Sequence, residues 1–251
     1  MILMGLIGLS FALVPNSTKH WVQTRPSSPG LIDLIGQSGL SRDDSKTVMR
    51  LVRRHMSDAA FTMQDEMMNT SCSESSTVFF DPHDKWSADL NVSQSAFLES
   101  MFGVMTGYCI ENANVSDVFE TFMSKSFRLA VMPRLTQYEL GSDSICIEAD
   151  GIRGIVKKAA FCLDYHKRRS KDVIVVHTLL KSSRDPEFHQ AMYHREAVLI
   201  FVQKAGGVSV RRLILTRANE LNAVSKAFLK QTAVGSQPKI KSILIEFLAH
   251  E

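Results

Sequence analysis

Hydrophobic and polar positions repeat along this chain with two different periods, and the change between them divides it. Between residues 46 and 68, Val48, Leu51, Val52, His55, Met56, Ala59, Ala60 and Met63 recur at steps of three and four. That spacing predicts a helix with one apolar face, opened by Asp43, Asp44 and Ser45. Its other face carries Arg50, Arg53 and Arg54, which read either as a solvated face or as a contact with an acidic surface. Asn69 to Ser76 is a Ser/Thr/Asn-rich loop. The segment 77–110 mixes VFF at 78–80 with SAFLESMFGVMTGYCI at 95–110, and reads as two or three strands. Val115-Ser116-Asp117 opens a second helix, with Ser116 as its cap and Val118, Phe119, Phe122 and Met123 as its apolar stripe. Pro133 bars a helix from passing through it.

From about residue 136 the period falls to two. Ser144 to Ala149 reads as a strand, Gly151 and Gly154 bracket a turn, and Ile155 to Tyr165 reads as the next strand. His166 to Asp172 is polar and reads as a turn. Val173 to Leu180 is β-branched and alternates little, as expected of a strand covered on both faces. Pro186 marks a longer loop. VLIFVQKA, then Gly206-Gly207, then VSVRRLILT reads as a hairpin, since glycine supplies the positive φ of a tight turn. A two-residue turn at the glycine pair would set Gln203 opposite Val210, Phe201 opposite Arg212 and Leu199 opposite Ile214. Leu221, Val224, Phe228 and Leu229 share a helical face. Gly235 and Pro238 interrupt it, and Ile240, Ile243, Leu244, Phe247 and Leu248 resume it. The order predicts an α+β fold: a curved antiparallel sheet gripping a long C-terminal helix.

The first fourteen residues are nearly all apolar and end at Pro15. They are short for a membrane span, and no Lys or Arg precedes them. A signal or anchor, a buried amphipathic element and a misplaced start all remain open. Pro and Gly recur through 15–45, so 1–44 reads as an apolar leader and arm, and 45–251 as one domain. Asn16, Asn69, Asn91 and Asn114 begin Asn-x-Ser/Thr triplets, which matter only in the secretory pathway. The 251 residues are 45% hydrophobic and 22% charged, which excludes wholesale disorder. A formal charge of +3 is too small to indicate nucleic-acid binding.

AFCLDYHKRRSKDVIVVHTLL at 160–180, MYHREAVLIFVQKAGGVSVRRLILTRANEL at 192–221, with its Arg195-Glu196 pair, and the closing helix together resemble START-like domains of the helix-grip (START/Bet v1-like) type. The resemblance is to those found in oomycete proteins, some labelled mating-specific. It implies a lipid or sterol-like ligand held between the sheet and the closing helix, bound without catalysis. The residues it implies as cavity lining are Phe161, Val175, His177, Leu199, Phe201, Val210, Arg212, Ile214, Val224 and Phe228. Some members carry a FYVE zinc finger, which Cys72, Cys109, Cys146 and Cys162 are too widely spaced to build.

The chemistry-bearing residues support no enzyme motif: G-x-S-x-G, H-E-x-x-H and GxxxxGK[ST] are absent. His189 and His194 lie five apart in a loop-like segment, a poor metal spacing, and neither a metal nor a cofactor is expected. His177 reads as a hydrogen-bonded interior histidine and as the leading polar candidate in a cavity. Cys146 and Cys162 read as small buried hydrophobes, with a disulfide possible if the chain is secreted. Lys167, Arg168, Arg169 and Lys171 read as a solvated hairpin tip or as a transient contact with anionic membrane. Arg211 and Arg212 point to opposite faces, with Arg212 on the Phe201 side. The expected protein is a cytoplasmic monomer, membrane-associated in part, or secreted or membrane-anchored if residues 1–14 act as a signal. A protein-interaction module with a filled core and a cyclase- or hydrolase-like enzyme stand as the alternatives; a nucleic-acid partner is not expected.

Overall fold

The computed structural model describes residues 41–72, 76–86, 90–150, 159–183, 194–217 and 223–250. The expected leader and arm to residue 40, the Gly151/Gly154 turn, Pro186 and His189 lie outside them.

Helix α1, Arg42–Asn69, follows the predicted apolar stripe and begins a turn before the expected start at residue 46, with Asp43 and Asp44 inside its first turn. Ser41 caps it, its hydroxyl accepting from the Asp44 N–H at 3.1 Å. Strand β1 is Ser76–Phe80, and a short helix α2, Pro82–Trp86, follows. The run at 95–110 is not all strand. Its first part belongs to helix α3, Val92–Glu99, because Asn91 and Gln94 form a capping box. Gln94 N–H donates to Asn91 Oδ1 at 2.9 Å, and Asn91 N–H donates to Gln94 Oε1 at 3.3 Å. Asp44 accepts from both of these side chains, tying α1 to α3, and its hydrogen bonds to Ser41, Asn91 and Gln94 hold its carboxyl below the ordinary range.

Strand β2, Met101–Glu111, leads into α4, Val115–Met123, and α5, Lys125–Val131. The predicted stripe of α4 is buried, but its cap is Asn114, whose side chain accepts from Ser116 N–H at 2.7 Å. The remaining strands are β3 Leu135–Leu140, β4 Ser144–Ala149, β5 Ala159–Arg169, β6 Val173–Ser183, β7 His194–Lys204 and β8 Gly207–Arg217. β5 runs through the polar stretch expected to be a turn. The turn is confined to its end, where Ser170 N–H donates to the Val173 carbonyl at 2.8 Å. Charged residues can occupy a strand end whose faces meet water or a neighbouring helix. The closing helix α6, Ala223–Leu248, is continuous through Gly235 and Pro238. Its C-terminal half packs Ile240, Ile243, Leu244, Phe247 and Leu248 on the sheet core, and that burial outweighs the hydrogen bond lost at proline.

The described strands form one antiparallel sheet of eight, ordered β1-β2-β8-β7-β6-β5-β4-β3. Alternation along the strands creates two separate cores. On one face α4, α5 and α6 cover Tyr108, Ile110, Phe161, Leu163, Val176, Phe201 and Val210, among others. On the other, α1 covers Met101, Val198, Ile200, Val202, Leu213 and Leu215. These are called the α6 face and the α1 face below. The α+β arrangement of an antiparallel sheet holding a C-terminal helix is therefore present.

The hairpin turns one residue earlier than predicted. Lys204 pairs with Gly207 around Ala205-Gly206, so Gln203 lies opposite Val208, Phe201 opposite Val210, and Leu199 opposite Arg212. Gly206 takes the turn's positive φ of 87°. Gly207 instead lies against β2, where a Cβ would come within 2.2 Å of the Ile110 carbonyl oxygen. Both cysteine pairs are disulfides. Cys72–Cys109 fastens the end of α1 to β2, and Cys146–Cys162 joins directly opposed positions of β4 and β5. Of the two readings of Cys146 and Cys162, small buried hydrophobes or a disulfide, the disulfide is the one present.

Candidate functional site

The α6 face carries a ligand only if groups there can recognise one. Phe161, Leu199, Phe201 and Val210 belong to its buried core, and strand alternation puts Arg212 and Ile214 on the same side as Val210. Val224 and Phe228 lie in α6, with side chains outside the described residues. Val175 and His177 are on the opposite face. Val175 packs into the core under α1 and pairs with Ile200; His177 pairs with Val198. The imidazole hydrogen-bonds to the carboxylate of Glu196, which is 0% exposed. The near-continuous apolar run of β6 hides its parity in the sequence, and only its pairing with β7 shows which residues face which helix.

The basic cluster is divided in the same way. Lys167 and Arg169 turn towards α4: the Lys167 ammonium lies 5.2 Å from the Phe119 ring, and Arg169 donates to Ser116 Oγ at 2.6 Å. All four are exposed, but Arg168 lies on the other side of β5 and Lys171 beyond its end.

The α6 face also holds polar groups that were not anticipated. Tyr108, two residues before the end of the buried run of β2, has its hydroxyl buried without a hydrogen-bond partner among the described residues. The same is true of Tyr138 on β3. Arg128 of α5 is near both: it faces the Tyr138 ring and acts electrostatically on Tyr108. Ser124 caps that helix by accepting from Phe127 N–H at 3.2 Å, which fixes Phe127 in the core and turns Arg128 inward beside it. The Arg128 guanidinium lies 4.2 Å above the Phe122 ring and 5.9 Å from the Tyr138 ring. Its Nη2 donates to Met123 Sδ at 3.3 Å, and its buried Nε has no partner among the described residues.

These groups share one electrostatic environment. Burial pushes the Tyr108 phenol well above its ordinary pKa, and Arg128 and Arg212 offset part of that rise. Burial likewise raises Tyr165; Tyr138 adds to the rise and Arg128 opposes it. Tyr108 and Arg212 come from β2 and β8, Tyr138 from β3 at the far edge of the sheet order. Arg128 lies against the Tyr138 ring and also acts on the Tyr108 phenol, so the sheet wraps round this face and brings distant strands to one centre. Elsewhere on the face, aromatic rings fill the space. Phe201 meets Phe119 and Phe122 edge-on at 5.6 and 5.5 Å, and Phe127 meets Phe247 of α6 at 5.9 Å.

No group of His, Cys, Asp and Glu suited to a metal ion occurs among the described residues. No described helix is long and apolar enough to cross a membrane.

No protein-family model matches the chain, and no curated protein matches it. Solved structures do. Human StAR-related lipid transfer protein 5 is similar with a TM-score of 0.51 at 10% identity, covering 79% of this chain and 100% of that one. A START superfamily protein from Mycobacterium smegmatis gives 0.42 at 11% identity, over 57% of this chain and 98% of its own. A STAR-related lipid transfer protein fragment from Xanthomonas axonopodis gives 0.42 at 14% identity, over 58% and 86%. At these identities the likeness is one of fold. The chain has the helix-grip fold, and the narrower resemblance to the oomycete type finds no support in these comparisons.

Proposed function

We propose that this protein binds a lipid or another hydrophobic ligand between the α6 face of its sheet and α6, and does not transform it. The observation that carries this reading is the pair of buried phenols, Tyr108 and Tyr138, set in an apolar layer without hydrogen-bond partners among the described residues. A buried hydroxyl left unpaired costs about 1–3 kcal/mol. A ligand with a polar end would pair them, and its apolar remainder would take the place of water against the surrounding side chains. Burying about 400 Å² of such a ligand contributes on the order of 10 kcal/mol before ordering costs are subtracted. The fold, shared with a protein named for lipid transfer, supports the reading without fixing a ligand.

The aromatic cluster of Phe119, Phe122 and Phe201 supports the rival reading, a regulatory or protein-interaction module with a filled core. Incubation with mixed-lipid vesicles, re-isolation and native mass spectrometry separates the two. The ligand reading expects a mass increment of one lipid that organic extraction recovers unchanged. Protein that re-emerges at its bare mass from every mixture would establish the filled core instead. Exposed Arg168 and Lys171 are the members of the basic cluster we assign to contact with anionic headgroups. The two disulfides favour the secreted alternative for its compartment, because such bonds persist in oxidising surroundings.

A further inference from the structure

We propose that the ligand of this site is a single-chain amphiphile with an anionic head, whose carboxylate or phosphate is received by Arg128 together with the hydroxyls of Tyr108 and Tyr138. The inference rests on the hydrophobic-ligand reading above and names the ligand's chemistry.

Arg128 is a partly buried cation whose partners are weak ones. Two aromatic faces and a thioether surround it, and no carboxylate among the described residues pairs with it. Its buried Nε is a donor without an acceptor among those residues. A guanidinium removed from water needs a counter-charge or strong acceptors to offset its lost hydration. Ring faces and sulfur supply only part of that. Arg212 adds a second positive charge on the same face, close enough to act on the Tyr108 phenol. The two phenol hydroxyls are donors as well, and ionisation of Tyr108 is opposed by its burial, so it remains a donor at neutral pH. The unmet need of the cluster is therefore for an acceptor carrying negative charge. A carboxylate or phosphate can accept from Arg128 Nε and a phenol together, through charge-assisted hydrogen bonds. Immediately around the cluster the lining is apolar: Phe122, Met123 and Ile110 are buried there. A free inorganic anion would leave that surface without a partner, whereas an acyl chain would cover it.

Binding of oleate, of oleoyl lysophosphatidate and of neutral monoolein to the full chain tests this by calorimetry. The anionic probes are expected to bind about tenfold tighter than monoolein, the scale of one charge-assisted hydrogen bond. Their mutual ranking tells a carboxylate from a phosphate head. Tyr108→Phe and Arg128→Gln should each weaken the preferred anion about tenfold and leave monoolein within about twofold. Tyr108→Phe removes a hydroxyl that has no partner, so the unliganded variant should melt at the same or a higher temperature. It keeps the test valid even if Arg128→Gln fails to fold. Monoolein bound as tightly as the anions, or anion affinity unmoved by Tyr108→Phe, would overturn the anionic head while the hydrophobic-ligand reading stands. Failure of all three probes would overturn both.

Discussion

Gly206 and Gly207 are neighbours with different duties. Gly206 supplies a positive φ and has nothing within 4 Å of where a Cβ would stand. Gly207 is required by space, because its Cβ would also lie 2.9 Å from Glu111 Cα. Gly206→Ala should therefore cost about 1–2 kcal/mol, the left-handed backbone penalty. Gly207→Ala should cost more, about 2–3 kcal/mol, since backbone must shift on β2. Urea unfolding of the two variants checks the order, and a Gly206 variant less stable than the Gly207 variant would refute it. Beside them Gln203 donates from Nε2 to the Ala113 and Gly207 carbonyls and accepts from Val115 N–H, so the hairpin and the start of α4 are one unit. The glycine pair was visible in the sequence. The role of Gln203 was not, because Ala113 and Val115, which it ties to the hairpin, lie 90 and 88 residues away along the chain. Arg212 was placed on the correct face by alternation alone. Tyr108, Arg128 and Tyr138 were missed. Each is a single polar residue in an ordinary element, and nothing local distinguishes an inward tyrosine of β2 or β3 from an outward one.

Elements were read well where the apolar period was long and poorly where a cap or a distant partner decided. The stripes of α1 and α4 were legible because every third or fourth residue repeated the message. α3 was mistaken for strand because its helical character rests on the Asn91/Gln94 capping box and not on a long stripe. The interruption of the apolar pattern at Gly235 and Pro238 does not break the expected long helix, because the packing of Leu244 and its neighbours outweighs local propensity. The hairpin register was wrong by one residue in the turn, yet the facing of its side chains survived. Moving the turn by one residue slides the pairing by two and preserves parity. The disulfides act at this scale, each tying one element to another. Cys146–Cys162 closes a separation of 16 residues and Cys72–Cys109 one of 37. The chain-entropy account gives about 3 kcal/mol for the shorter loop and slightly more for the longer. Cys146→Ser with Cys162→Ser should lower unfolding free energy by about that amount, and a reductant should then cost the variant less than it costs the parent. Equal sensitivity to reductant in both proteins would contradict this.

At the scale of the whole molecule, the order of elements carried the fold: helix, strands, helices, antiparallel strands, closing helix. The sheet order then does what the sequence could not display. It sets β2 beside β8, distant in the chain, and leaves β3 at the far edge, so the wrapped sheet brings Tyr108 and Tyr138 towards Arg128, with Arg212 also acting on Tyr108. It also separates two cores, which is why Val175 and His177 serve the α1 side instead of the α6 face. Hydrophobic composition is blind to that division. The central claim, that the α6 face is the ligand face and the α1 face is solid core, has one direct test. A fatty acid carrying a diazirine on its acyl chain is bound to the full protein, photolysed, and its attachment mapped by peptide mass spectrometry. Label on β2, β8, α4, α5 and α6, competed away by excess oleate, is the predicted result. Label concentrated on α1 or α3, with the α6 face untouched, would contradict the account.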